Sequence, residues 1–119
     1  RGPLNQTIKK FSFLSTAIVP DRELTMPEPQ SEIIWTDYVR YRARLRGFDL
    51  AKIEPIVRYS SERYLDTETG RSVVIGRIED VLVMIPYETE QTAMIPVTIH
   101  ATTRQQVNFR LKTGRFSNE

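Results

Sequence analysis

Apolar residues recur at helical spacing in the segment "TDYVRYRARLRG". Tyr38, Tyr41 and Leu45 lie three and four residues apart, which predicts that they face the core. Thr36 is a suitable N-cap, because a threonine hydroxyl accepts from a free amide at a helix start, and Gly47 suits the left-handed residue that follows a helix end. The segment therefore predicts a helix.

A second short helix is predicted over "LAKIEPIVRYS", with Asp49 as its N-cap. Its apolar side chains are predicted to face inward: Leu50, Ile53, Ile56 and Val57. Pro55 weakens the pattern, because a proline beyond the first turn removes a hydrogen bond and kinks the axis.

From about residue 60 the pattern becomes strand-like. "SERYLDTETGRSVVIGRI" predicts two strands joined by a turn at Thr69 and Gly70, "EDVLVMIPYE" predicts a third and "TAMIPVTIHA" a fourth. The third strand is apolar on both faces, which favours a central position, and the short connections favour an antiparallel meander.

The fourth strand alternates and leads into a helix. Ile95, Val97 and Ile99 are predicted on one face, with Pro96, Thr98 and His100 on the other. Pro96 cannot donate to a ladder, so it predicts an edge position or a bulge. Thr102 or Thr103 then caps a helix that runs to about Lys112, has Val107 and Leu111 inward and ends at Gly114.

These elements predict an α+β fold, in which two N-terminal helices pack on a four-stranded antiparallel sheet and a C-terminal helix follows. A length of 119 residues favours a single domain, which we place at residues 31–114 with residues 115–119 as a tail. Residues 1–30 are predicted to be an extended appendage, because "PDRELTMPEPQ" holds three of the seven prolines. Within it, "KKFSFLSTAIV" would form a strand where another sheet offers an edge, which makes a homo-oligomer through this segment an expectation.

Composition excludes several classes of chemistry. The chain has no cysteine, which removes disulfides, thiol nucleophiles and cysteine-ligated zinc. It also has no glycine-rich phosphate loop, no histidine pair and no nucleophile elbow, so we expect neither a metal nor another cofactor. No apolar run approaches the roughly 20 residues needed to span a bilayer, and a cytoplasmic location is the default expectation.

Charge is unevenly distributed around a net value of +2. Residues 36–63 carry seven basic and four acidic side chains, and residues 101–119 carry four basic and one acidic. The segment between them, residues 64–100, carries two basic and six acidic side chains. If the fold unites the basic segments, they form a face suited to a polyanion; the alternative is a set of solvated helix faces.

Two flanks of the first helix are basic, because residues four apart are neighbours on a helix surface. Arg40 and Arg44 share one flank, and Arg42 and Arg46 share the other. Three further cations close the C-terminal helix, where interaction with the helix dipole is a sufficient alternative explanation: Arg110, Lys112 and Arg115.

His100 is the single histidine, and it lies at the end of a strand directly before a helix. It titrates near neutrality, with an ordinary pKa of about 6.5. Arg104 falls in the first turn of the following helix, where free backbone donors also favour an anion. The segment therefore predicts a phosphate-facing wall, and a structural histidine is the alternative.

Three segments resemble the BrnT branch of the RelE-like toxin superfamily, over about residues 33–114: "YRARLRGFDLAKIEPIV", "RSVVIGRIEDVLVMIPYE" and "IPVTIHATTRQQVNFRLKTG". Where BrnT-type sequences usually have Lys-His-Gly, this chain has Leu45-Arg46-Gly47. Its C-terminal helix also has fewer arginines than is typical of that branch. One candidate catalytic histidine is therefore missing.

The resemblance implies a metal-independent ribonuclease toxin that acts on RNA, with mRNA, free or on the ribosome, as the expected substrate, and that is silenced by a partner antitoxin. Such chemistry needs a base for the ribose 2′-hydroxyl, cations for the developing charge and an acid for the leaving oxygen. We assign His100 as the acid or base, Arg104 and Arg46 as charge stabilisers and Tyr64 as an orienting group. The remaining basic residues would bind RNA: Arg40, Arg42, Arg44, Arg110, Lys112 and Arg115.

Two other functions stay open. One is a non-catalytic RNA- or partner-binding module of the same fold that uses the same basic face. The other is an interaction domain whose N-terminal segment adds a strand to another chain's sheet.

Overall fold

A computed structural model describes residues 32–118, which form three helices and a six-stranded antiparallel sheet. The elements follow in the order α1 (Asp37–Leu45), α2 (Leu50–Tyr59), β1 (Arg63–Asp66), β2 (Ser72–Ile78), β3 (Val81–Glu90), β4 (Ala93–Pro96), β5 (His100–Thr102), α3 (Arg104–Lys112) and β6 (Phe116–Asn118). The predicted α+β class is confirmed. The predicted number of strands is too low by two.

The sheet has the order β4-β3-β2-β1-β6, and β5 also pairs with β3. Strands β1, β2 and β3 form the predicted meander, and the turn between β1 and β2 contains Gly70 with φ +76. Strand β3 has β2 on one side and both β4 and β5 on the other, so its predicted central position is confirmed.

The predicted fourth strand is two strands separated by a bulge. Pro96 is opposite Tyr87 and His100 is opposite Met84, so four steps along this strand match three steps along β3. The extra residue in the bulge reverses the alternation of side chains between the two faces of the sheet. Ile99 is fully buried, on the face of the sheet that Met94 also packs into, and the predicted face shared by Ile95, Val97 and Ile99 is wrong.

The segment predicted as a C-terminal tail contributes a strand. Residues Phe116–Asn118 pair with β1 at the sheet edge. Phe116 is 2% exposed and stacks on Tyr64 at 5.6 Å between ring centroids. Burial of an aromatic ring gives this short strand a hydrophobic anchor.

The helices cover both faces of the sheet. Helices α1 and α2 pack on one face with the larger core: Val39, Ala43, Ile53, Ile56, Val57, Val74, Val83, Ile85, Tyr87, Met94 and Ile99. Helix α3 packs on the other face with a smaller core: Val73, Ile75, Leu82, Val107 and Phe116. Leu50 and Leu111 are partly buried and pack against these cores, so the predicted inward residues of α2 and α3 are confirmed.

The predicted inward face of α1 is wrong. Val39 and Ala43 are the buried residues of this helix, whereas Tyr38, Tyr41 and Leu45 are 52%, 50% and 64% exposed. Both sets of residues repeat at helical spacing, so periodicity alone fits either face. The smaller pair is the one that faces the sheet.

The predicted helix ends are confirmed. Thr36, Asp49 and Thr103 each accept a hydrogen bond from an amide in the first turn of the helix that they cap. Gly47 and Gly114 adopt φ +76 and +83 after α1 and α3, in the left-handed conformation that ends many helices.

The predicted appendage over residues 1–30, its strand-forming segment and the homo-oligomer expected through it lie outside the described residues. Among residues 32–118 no helix is long and apolar enough to cross a membrane.

Candidate functional site

His100 and Arg46 meet at the edge of the sheet. Arg46 is the C-cap residue of α1, and His100 begins β5. The Arg46 Nη1 atom lies 3.4 Å from His100 Nδ1 and donates to the Ile99 carbonyl, also at 3.4 Å. Because arginine can only donate, this contact fits a neutral His100 whose Nδ1 accepts.

The surroundings of His100 keep its imidazole neutral. Burial is the largest cause that lowers its pKa from 6.5, and the charges of Arg46, Arg42 and Arg110 lower the pKa further. Helix α1 supplies Arg42 and Arg46 from one flank, and α3 supplies Arg110 from across the strand. We call these three arginines together with His100 the basic cluster.

The arginines of the basic cluster have no acidic partner among residues 32–118. Arg42 donates to the Tyr38 hydroxyl at 2.6 Å, with its guanidinium 5.6 Å from that ring's centroid. Arg110 lies 3.8 Å from the Met84 sulfur and 5.7 Å from the Phe116 ring centroid. Three positive charges held by rings, carbonyls and sulfur leave a local excess that attracts an anion.

A cavity of about 190 Å³ lies on the α3 side of the sheet and reaches the basic cluster. His100, Thr98 and Arg110 line it together with Thr69, Arg71 and the Asp66–Arg115 ion pair, and its apolar lining includes Met84 and Phe116. Pockets for drug-sized ligands measure about 300–1,000 Å³, so this cavity suits a single small group.

Arg104 and Tyr64 belong to a different network, centred on Glu62. Arg104 donates to both Glu62 carboxylate oxygens at 2.6 and 2.9 Å, and the Tyr64 hydroxyl donates to one of them at 2.7 Å. The Arg104 hydrogen bond lowers the pKa of Glu62, while burial and then Glu62 raise the pKa of Tyr64 to about 12. Tyr64 therefore stays protonated at neutral pH, and the charge of Arg104 is compensated.

The structure thus groups the four predicted catalytic residues into two pairs. Arg46 contacts His100, and Tyr64 and Arg104 share Glu62. Arg104 is not among the residues that line the cavity with His100. The predicted pairing of His100 with Arg104 is not found, and the arginines whose charges act on His100 are Arg46, Arg42 and Arg110.

The predicted RNA-binding arginines also divide by partner. Arg115 donates to both carboxylate oxygens of Asp66 at 2.6 and 3.0 Å and lies 3.1 Å from Glu68, so its charge is compensated. Arg40 donates to the Trp35 carbonyl at 3.2 Å. Arg44 and Lys112 are exposed and have no ion pair among the described residues.

Sequence analysis did not identify Glu62 and Asp66 as the partners of these cations. Glu62 is 42 residues from Arg104, and Asp66 is 49 residues from Arg115. A local signal existed for Asp66 alone, because "DTETG" is a turn sequence whose first carboxylate accepts from the Glu68 and Thr69 amides.

No group of three or more histidine, cysteine, aspartate or glutamate side chains within residues 32–118 is arranged to hold a metal ion. The imidazole of His100 lies among guanidinium groups that have no acidic partner within residues 32–118, an arrangement that can bind an anion and exchange a proton.

No family model, no curated protein and no solved structure matches the chain.

Proposed function

We propose that this protein binds RNA at the basic cluster and cleaves it as a metal-independent ribonuclease of the toxin type. The observation that carries the proposal is a neutral imidazole surrounded by three arginines that have no acidic partner among the described residues. Arginine donates in a planar fork that matches phosphate oxygens, and a neutral imidazole can accept a proton at physiological pH.

The proposed reaction is attack by the ribose 2′-hydroxyl on the adjacent phosphorus. An RNA phosphate draws the Arg46 guanidinium away from His100, because the 3.4 Å contact to Nδ1 is long and weak. Nδ1 then takes the 2′-hydroxyl proton as the new P–O bond forms. The P–O5′ bond breaks and the 5′ oxygen takes a proton from solvent water, which leaves a 2′,3′-cyclic phosphate and a 5′-hydroxyl, and His100 then returns its proton to solvent.

The arginines stabilise the charge that develops on phosphorus. Arg46, Arg42 and Arg110 place their charges on different sides of His100, since they come from two helices on opposite faces of the sheet. Preformed cations aimed at a developing charge are worth more than the same charges in water. The resemblance to the BrnT branch adds a partner antitoxin to this proposal.

A non-catalytic RNA-binding module is the second candidate. The observation that favours it is the Glu62 network, which holds two of the four predicted catalytic residues away from the cavity that His100 lines. In this case the basic cluster holds phosphate without transferring a proton.

Expression of the full chain separates the two candidates. We expect growth arrest with degraded RNA, and purified protein should leave 2′,3′-cyclic phosphate ends on RNA in the presence of a chelator. Replacement His100→Ala should lower the cleavage rate by about 10² to 10⁴, the usual contribution of a positioned acid or base, with little change in melting temperature or RNA affinity. Arg46→Ala should weaken both affinity and rate.

Arg77→Ala is the matched control, because Arg77 is exposed and its guanidinium contacts the Asp80 carbonyl outside the cluster. Normal growth and intact RNA at high soluble expression would remove the ribonuclease and leave the binding module. Absence of RNA binding by the purified wild type would remove both.

A further inference from the structure

An apolar stripe lies exposed along α1. Tyr38, Tyr41 and Leu45, which we call the α1 stripe, are each at least half exposed, while Val39 and Ala43 hold the opposite side of the helix against the sheet. Exposed apolar side chains that lie next to one another form a candidate contact surface. Tyr41 makes no hydrogen bond, ion pair or ring contact with the other described residues.

The α1 stripe is continuous with the basic cluster. Tyr38, Arg42 and Arg46 lie four residues apart and form one row on the helix surface. The Tyr38 hydroxyl accepts from Arg42, and Arg46 reaches His100 at the far end of the row. Eight residues of helix span about 12 Å. Roughly three to four stacked nucleotides cover that distance at about 3.4 Å each.

Arginines border the α1 stripe on both sides. Arg44 lies three residues from Tyr41 on the flank away from Arg42, and Arg40 lies beside Arg44 on that flank. Asp37 is the acidic residue of this helix, lies in its first turn and makes no ion pair among residues 32–118. Aromatic faces between rows of cations match a strand whose bases stack while its phosphates are neutralised.

We propose that the α1 stripe is a base-stacking platform for single-stranded RNA, which leads the strand to the basic cluster. This inference rests on the proposed function, since it extends the same site along α1. Single strands are the expected class because their unstacked bases offer faces to tyrosine, whereas a duplex hides those faces within its own stack. Tyr41 carries the stacking, and Tyr38 also positions Arg42.

The experiment measures the binding of labelled oligouridylate and of a duplex RNA to the full chain. Every protein in it carries His100→Ala, which blocks cleavage of the RNA. Added Tyr41→Ala should weaken oligouridylate binding about tenfold, a typical effect of one lost stacking contact, and leave the duplex affinity nearly unchanged. The salt dependence should not change, because stacking releases no counterions. Tyr41→Phe should retain the wild-type affinity.

Tyr59→Ala is the matched control, because Tyr59 is 59% exposed on α2 and lies outside the row that leads to His100. Oligouridylate binding that is unaffected by Tyr41→Ala would overturn the platform and leave the proposed function standing. A wild-type dimer that Tyr41→Ala dissociates would assign the stripe to a second copy of the chain and overturn the platform as well. If the protein that retains Tyr41 binds no RNA at all, the proposed function on which the platform rests is overturned instead.

Discussion

Asp66 ends β1 with a buried carboxylate that serves two segments of the chain. Its oxygens accept from Arg115, which leads into β6, and from the Glu68 amide in the turn toward β2. Its side chain is 9% exposed and that of Arg115 is 33% exposed. The pair therefore joins the edge strand to the sheet in a partly desolvated setting.

Replacement Asp66→Asn should lower the free energy of unfolding by about 1–2 kcal/mol, because charge-assisted hydrogen bonds to Arg115 are lost while that cation stays partly buried. Urea unfolding at neutral pH measures the effect. Glu68→Gln is the control, since its side chain is 70% exposed and exposed pairs contribute about 0–1 kcal/mol. Equal losses in the two variants would contradict the special role of Asp66.

The same pair predicts a direction of pH dependence. The Arg115 hydrogen bond holds the pKa of Asp66 below 3.8 in the folded state. Its stabilisation is therefore present above the unfolded pKa and is lost as the pH falls through the folded pKa. Unfolding followed in acid should show a smaller decrease in stability for Asp66→Asn than for the wild type.

At the scale of elements, α2 approaches β2 closely at Gly76. A Cβ added to Gly76 would overlap the side chain of Ile56, which is 8% exposed in the larger core. Glycine within a strand often marks such an approach of another segment. The glycine that follows Ile75 in β2 is therefore required by the packing of α2 on the sheet.

Gly76→Ala should destabilise the fold by about 1–3 kcal/mol, the usual cost of overpacking a core. Ile56→Ala in the same chain should compensate in part, because the added methyl group then has room. Denaturant unfolding of both single variants and the double variant measures the coupling free energy. If the losses of stability in the two single variants simply add in the double variant, Ile56 is not the residue that restricts side-chain size at position 76.

At the scale of the whole molecule, the two basic segments of the sequence meet at His100. Arg42 and Arg46 come from residues 36–63, and Arg110 comes from residues 101–119. The fold thus brings part of each basic segment to the same histidine. Arg104 and Arg115 lie in the second segment but are compensated by carboxylates.

The division between compensated and uncompensated arginines predicts the salt dependence of RNA binding. For oligouridylate, Arg110→Gln should reduce the slope of log affinity against log salt by about 0.7, the value for one phosphate contact to a single strand. Arg104→Gln should leave the slope nearly unchanged, because Glu62 already neutralises that charge. Binding isotherms over a range of salt test this, and equal slopes for the two variants would contradict it.

The sequence by itself determined the helix caps, the turn at Gly70, the central position of β3 and the inward residues of α2 and α3. These features follow from interactions between residues close in the chain, such as a cap and the amide three positions on or the alternation along one strand. They are therefore encoded in short segments.

Only the tertiary structure decided which face of α1 is buried, how the bulge after Pro96 reverses the strand, and which partner each cation takes. Arg46 and His100 are 54 residues apart, as against 42 for Glu62 and Arg104. Such pairs depend on the order of strands and on the layer in which each helix lies. In the sequence, an arginine that will form an ion pair has the same charge and the same spacing as one that will not. Whether it is paired is decided only when distant segments are brought into contact.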